Sequence, residues 1–158
     1  SVSQGLLEDF LLLNRETRGR GNFASHPDAY YREMAASLPK DFVKIWQATY
    51  QNQIIASNIV ITFGDTATYA HGASSSQHKD AMAPYLLHWE IIREAKRRGL
   101  KTYDFGGVAP EGELDHPLVN LNRFKSGFGG KYIEYIGSYD YVLDKFWYLV
   151  YKFVRRIL

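Results

Sequence analysis

Leu6, Phe10, Leu13 and Asn14 recur at the spacing of one helix face, broadened by Leu7 and Leu11, and predict a first helix over Gln4 to Thr17. Arg18-Gly19-Arg20-Gly21 interrupts it. His26-Pro27-Asp28 opens a second helix, with the proline suited to its first turn; that helix carries Tyr30, Tyr31, Met34 and Ala35 and ends before Pro39. The pattern then changes to strands. Phe42 to Tyr50 reads as one, Ile54 to Phe63 is rich in β-branched residues, and Thr66 to Ala73 returns after a tight turn at Gly64-Asp65, so the three form an antiparallel meander.

Helical spacing resumes at Ala83-Pro84. Leu87, Ile91 and Ala95 stack one turn apart, widened by Leu86, Trp89 and Ile92, until Arg97-Arg98 and Gly99 end the helix. Leu100 to Phe105 predicts a short strand stopped by Gly106-Gly107. An acidic loop follows (Glu111, Glu113, Asp115), then a short helix over Leu118 to Lys125 and a break at Gly127 to Gly130. Lys131 to Val142 alternates as a long closing strand, and Lys145 to Leu158 as a final helix. That helix is apolar on nearly all sides, so it is expected to dock, first of all on the domain's own core; a missing partner domain, a second copy or a membrane surface are the other candidates.

The order α-α-β-β-β-α-β-α-β-α predicts an α/β (α+β) fold with a mixed, mostly antiparallel sheet flanked by helices. It resembles the GNAT-type acyltransferase architecture, in which two neighbouring strands splay apart and the acyl donor enters the split. Element order is an analogy of fold, and activity has to be argued from residues.

Composition narrows the chemistry. The 158 residues fit one domain able to bury a substantial core. The absence of cysteine excludes disulfides, thiolate metal sites and a cysteine nucleophile. The five histidines (His26, His71, His78, His88 and His116) are scattered without zinc spacing, so no metal is expected. Ser74-Ser75-Ser76 lacks the Gly-x-Ser-x-Gly elbow of a hydrolase. No apolar run is long enough to span a bilayer and no signal peptide is visible at the start, which makes a cytoplasmic location the expectation. Residues 1–90 hold 7 Lys/Arg against 9 Asp/Glu, and residues 91–158 hold 12 against 8. That basic bias is compatible with phosphate contacts and equally with a solvated helix end over Arg93, Lys96, Arg97, Arg98 and Lys101.

Four stretches together carry a more specific signal. They are Tyr69-Ala70-His71-Gly72-Ala73-Ser74, Ala83-Pro84-Tyr85-Leu86-Leu87-His88-Trp89-Glu90, Tyr103-Asp104-Phe105-Gly106-Gly107 and Phe124-Lys125-Ser126-Gly127-Phe128-Gly129-Gly130. In this order, on fitting elements, they resemble the second domain of Fem-type (FemABX) peptidoglycan aminoacyltransferases. The likeness covers nearly the whole chain. It implies transfer of an amino acid from aminoacyl-tRNA to the stem peptide of a nucleotide-linked or lipid-linked peptidoglycan precursor, with no cofactor. Such enzymes carry two domains of this sort, so the chain is expected to be one GNAT-like half of a two-domain enzyme, a fragment or a natural single-domain relative, with a second such domain or copy as partner.

Lys125 is the sharpest candidate, read either as a catalytic cation or as an ordinary surface lysine. Acyl transfer from an ester passes through an oxyanion that a placed cation stabilises. A lysine beside flexible glycines can aim its ammonium into a cleft, and the resemblance assigns this role to the lysine of the Phe-Lys pair. Two readings stand at each other position. Phe124 packs against the donor or belongs to the core. Asp104 accepts a hydrogen bond from substrate or caps local amides. Gly106 and Gly107 let backbone approach something bulky or take positive φ, or form a simple turn. Arg20, expected in a loop beside Arg18, either anchors the precursor's diphosphate, as the resemblance implies, or is solvated. Tyr69 joins the substrate-binding set through the first of the four stretches. No committed general base is apparent.

Coenzyme A enzymes of this architecture cradle pyrophosphate on a glycine-rich turn before the central helix. Here that stretch is Ser75-Ser76-Gln77-His78-Lys79-Asp80-Ala81-Met82, without glycine. The missing turn argues against a CoA enzyme and for a donor held differently; a CoA-dependent N-acyltransferase with a degenerate donor loop and a non-catalytic GNAT-like binding module are the alternatives to aminoacyl transfer.

Overall fold

A computed structural model describes residues 3–21, 25–113 and 115–157. Two helices, α1 (Gln4–Gly21) and α2 (Asp28–Ser37), precede the strands β1 (Val43–Tyr50), β2 (Gln53–Phe63) and β3 (Thr66–Ser74). A 3₁₀ turn (Lys79–Ala81) leads into α3 (Ala83–Arg97), β4 (Thr102–Asp104), α4 (Val119–Ser126) and α5 (Lys145–Ile157). The sheet order is β1-β2-β3-β4, antiparallel except for the β3–β4 pair, which α3 makes parallel by crossing over. Gln51 and Asn52 close the β1–β2 hairpin with φ of 48° and 62°, the two left-handed residues of a tight hairpin turn.

Each face of the sheet has its own core. Phe10, Leu11 and Leu7 of α1 and Tyr31 of α2 pack on Val43, Ile45 and Ile59. Leu87, Ile91 and Ala95 of α3 pack on Ile55, Ala56, Val60 and Ala67. Removing side chains the size of Leu11 or Ile59 from water contributes roughly 1.5–3 kcal/mol each. The buried stripe of α3 is narrower than its apolar pattern, because Leu86 and Trp89 face outward and His88 is buried instead.

Two irregularities shape the open end of the sheet. Ile59 pairs with His71 but Val60 pairs with Tyr69, so Ala70 is an extra residue in β3. β3 also pairs with β4 only through Thr66, Ala67 and Thr68, while its own strand continues to Ser74. From Tyr69 onward β3 has no β4 alongside it, which is the splay that the element order predicts.

Three expectations are corrected. Lys131 to Val142 forms no strand. Alternation says which side chains would share a face but supplies no partner; β4 offers three residues of edge, and Gly137 at φ 90° breaks the extended run. The final helix does not dock on the domain's core: Phe146, Trp147, Leu149 and Phe153 are each about two-thirds exposed. Arg18 and Arg20 sit in the last turn of α1 and not in a loop, because α1 runs on to Gly21.

Candidate functional site

The site lies where β3 and β4 part. α4 brings Lys125 under the turn that ends β4, and its Nζ donates to the Gly107 carbonyl at 2.5 Å. The same nitrogen lies 5.9 Å from the centre of the Tyr69 ring. Lys125 is 8% exposed, whereas Asp104, Gly106 and Gly107 above it are exposed. Among the described residues no carboxylate forms an ion pair with it. Burial lowers the Lys125 pKa from its ordinary value, and the charge of Asp104 offsets part of that. An ammonium has three donors, so a single backbone carbonyl as its hydrogen-bond partner among the described residues leaves it with unused capacity.

Gly106 has φ 70°, and a Cβ there would stand 3.4 Å from the Tyr69 carbonyl. Both reasons for a glycine, left-handed backbone and close approach, apply at that position. Gly107 lacks the positive φ, and a Cβ there would make an ordinary contact with Leu118. Asp104 accepts from the Gly106 amide at 2.7 Å, which is the local capping alternative.

Tyr69 points to the α3 side and lies along its own strand over Gly72. A Cβ on Gly72 would stand 2.6 Å from the tyrosine Cζ, so the ring can lie there only over glycine. The extra residue at Ala70 puts both on one face, although they are three apart in a strand. Burial pushes the Tyr69 phenol up to about 12.

Around this pair stands an aromatic wall: Phe124, Phe128, Phe105 and Tyr103 enclose His88, with ring centres 5.3–5.9 Å from the imidazole. Tyr69 is closer, at 4.5 Å, and Tyr85 packs edge-on to Phe124 at 4.6 Å. Phe124 is thus part of the packed wall. His88 Nδ1 and the Tyr103 hydroxyl share a hydrogen bond of 2.8 Å. Burial, helped by the Lys125 cation, brings the His88 pKa down to about 4, so this imidazole is neutral at neutral pH. Burial also raises the Tyr103 phenol.

Of the residues singled out in the sequence, Lys125, Phe124, Tyr69, Asp104, Gly106 and Gly107 come together. Arg20 does not join them. It donates to the Ser74 carbonyl at 2.6 Å and the Ser76 hydroxyl at 2.7 Å, and pairs with Glu16. It therefore meets β3 five residues beyond Tyr69, about 15 Å along the strand. His88, Tyr103, Phe105 and Phe128 were missed as a group. The available signal was a polar histidine beside Leu87 and three residues before Ile91, on the buried side of α3.

Among the described residues no group of three or more His, Asp or Glu side chains is placed to hold a metal, and no helix is long and apolar enough to cross a membrane.

Comparison with known proteins bears on the fold and the family. The E. coli ribosomal-protein-S18-alanine N-acetyltransferase superposes with a TM-score of 0.59 at 16% identity, over 80% of this chain and 72% of that one. The aminoglycoside 6'-N-acetyltransferase AAC(6')-IG of Acinetobacter haemolyticus gives 0.64 at 15% identity, over 90% and 97%. At such identity these establish the GNAT-type fold alone. The lipid II:glycine glycyltransferase of Staphylococcus haemolyticus (strain JCSC1435) is 34% identical over 107 residues, 67% of this chain and 26% of that protein. Its counterpart in Staphylococcus aureus (strain USA300) is 31% identical over 108 residues, 68% of this chain and 26% of that protein. The matches thus span about a quarter of the length of these curated relatives. The model of the FemAB family matches residues 35–156, and the chain belongs to that family.

Proposed function

We propose that this chain is the acyl-transfer domain of an enzyme that moves an aminoacyl group from aminoacyl-tRNA onto the stem peptide of a lipid-linked or nucleotide-linked peptidoglycan precursor. The single observation that carries the reading is the Lys125 ammonium, buried at the parting of β3 and β4 and bonded to one backbone carbonyl. The kinship to lipid II:glycine glycyltransferases supplies the substrate class.

An aminoacyl ester is already activated, so the chemistry needs positioning and charge stabilisation more than bond activation. The ester enters the gap beside Tyr69 with its carbonyl oxygen toward Lys125. As the amine attacks, negative charge grows on that oxygen and the unused ammonium donors bind it. The neutral His88–Tyr103 pair adds no second charge and leaves the cation's field undivided. Asp104 holds the Gly106 turn in shape. Substrate contacts beyond this gap fall to a second domain of similar kind, in line with the fraction of the relatives' length that this chain spans.

The test is to supply the full-length protein with glycyl-tRNA and lipid II and to follow the mass of the lipid product. Addition of glycine is expected, together with no calorimetric signal for acetyl-CoA. Stoichiometric acetyl-CoA binding without tRNA-dependent transfer would place the protein with CoA-dependent acyltransferases instead.

A further inference from the structure

The face of β3 opposite Tyr69 carries a second group of titratable side chains. His71 pairs with Ile59 and so points toward α1 and α2. Its ring centre lies 5.8 Å from His26, 5.8 Å from Tyr30 and 5.0 Å from Tyr31. His26 stacks on Tyr30 at 4.0 Å with an interplanar angle of 21°, and both are exposed, so the group opens outward. His71 itself is half-buried. Tyr31 is fixed by a 3.0 Å hydrogen bond with Ser25.

Position gives this group its meaning. His71 stands beyond Thr68, the last residue of β3 that pairs with β4. Its Cα is roughly 6–7 Å along the strand from that of Tyr69. Lys125 and Tyr69 lie on the α3 face of β3 and His71 on the other face, along the stretch of β3 that no longer pairs with β4. An attacking amine has to reach the donor's carbonyl carbon from a side that the donor itself does not fill, and a donor held on the Lys125 face leaves the His71 face for the amine.

Resting on the transfer reading above, we propose that His71 is the acceptor-side base, with His26 and Tyr30 forming the rim that receives a primary amine. The amine nitrogen bonds to the ester carbonyl carbon while the carbonyl electron pair moves to oxygen beside Lys125. The imidazole of His71 takes the amine proton. Collapse of the adduct re-forms the carbonyl and breaks the ester C–O bond, and the imidazolium returns the proton to the departing sugar oxygen. The titratable groups packed against His71 are His26, Tyr30 and Tyr31; burial and the neighbouring His26 lower its pKa, which keeps the ring unprotonated and able to accept. His88 is the rival histidine. With a pKa near 4 and 1% exposure it is too weak and too enclosed for the task.

The experiment is the glycyl-tRNA to lipid II assay with full-length protein, run from pH 5.5 to 9 on wild type, His71→Gln and His71→Ala, with thermal melts alongside. His71→Gln is expected to lower kcat by about 10²–10⁴ with little change in KM. Its pH profile should lose the acid limb, and added imidazole should restore part of the rate to His71→Ala. His71→Asn replaces either variant if the melt shows it unfolded. Wild-type kcat in a folded His71→Gln overturns the inference and leaves the transfer reading intact. A uniform slowing with the acid limb retained and no imidazole rescue also overturns it. Absence of transfer by the wild type overturns both.

Discussion

The Tyr69 ring lies over Gly72 of the same strand, so close that a Cβ on Gly72 would stand 2.6 Å from its Cζ. Gly72→Ala is therefore expected to evict the ring from the wall around His88. Overpacking of this kind costs about 1–3 kcal/mol. Urea unfolding of Gly72→Ala made in the wild type and again in a Tyr69→Ala background measures it: the glycine substitution should cost far less in the second, where no ring is left to clash with. Equal loss in both would mean that the glycine serves some other purpose.

His88 links stability to pH. Its pKa falls from 6.5 to about 4 on folding, so the unfolded chain binds a proton that the native one refuses. The stabilising contribution is fully present above pH 6.5 and is lost as pH falls toward 4. At 1% exposure the full span is worth about 3 kcal/mol. His88→Gln keeps a hydrogen-bonding partner for Tyr103 without a titrating ring. Its unfolding free energy should change less between pH 7 and pH 5 than that of the wild type. An equal change in both proteins would rule His88 out as the source.

The two halves of the apolar surface should respond differently to truncation. Ile59 is fully buried between the helices and the sheet, whereas Phe153 is 67% exposed. Ile59→Ala is expected to cost about 2–5 kcal/mol. Phe153→Ala in this chain should stay within about 0.5 kcal/mol of wild type. Urea denaturation distinguishes them, and a loss above 2 kcal/mol for Phe153→Ala would show that α5 docks on the domain after all.

Arg20 holds the end of β3 through Ser74 and Ser76. Arg20→Ala should lower stability by about 1 kcal/mol and leave affinity for a uridine-diphosphate-linked precursor unchanged by calorimetry. A tenfold weakening would restore it as a phosphate anchor.

The meander, the crossover helix and the short strand before Gly106 were readable because each follows from a local period and a stop signal. The gathering of Tyr69, Asp104, Gly106 and Lys125 was readable only through likeness to a family, since nothing local says that α4 folds back under β4. The extra residue at Ala70 left no mark, because a bulge is decided by the register of the partner strand. Lys131 to Val142 has a strand's alternation, but pairing is a property of two segments, and β4 is three residues long. His88 reads as an ordinary helix residue until its burial and its bond to Tyr103 are seen.

The central claim is that the buried ammonium of Lys125 stabilises negative charge on the ester oxygen. Single-turnover transfer from glycyl-tRNA to lipid II by full-length Lys125→Ala, beside the wild type and with melts to confirm folding, tests it most directly. Loss of one such donor predicts a rate lower by about 10²–10³, or roughly 3–4 kcal/mol, with binding of both substrates retained. A folded Lys125→Ala that transfers at the wild-type rate would contradict the account.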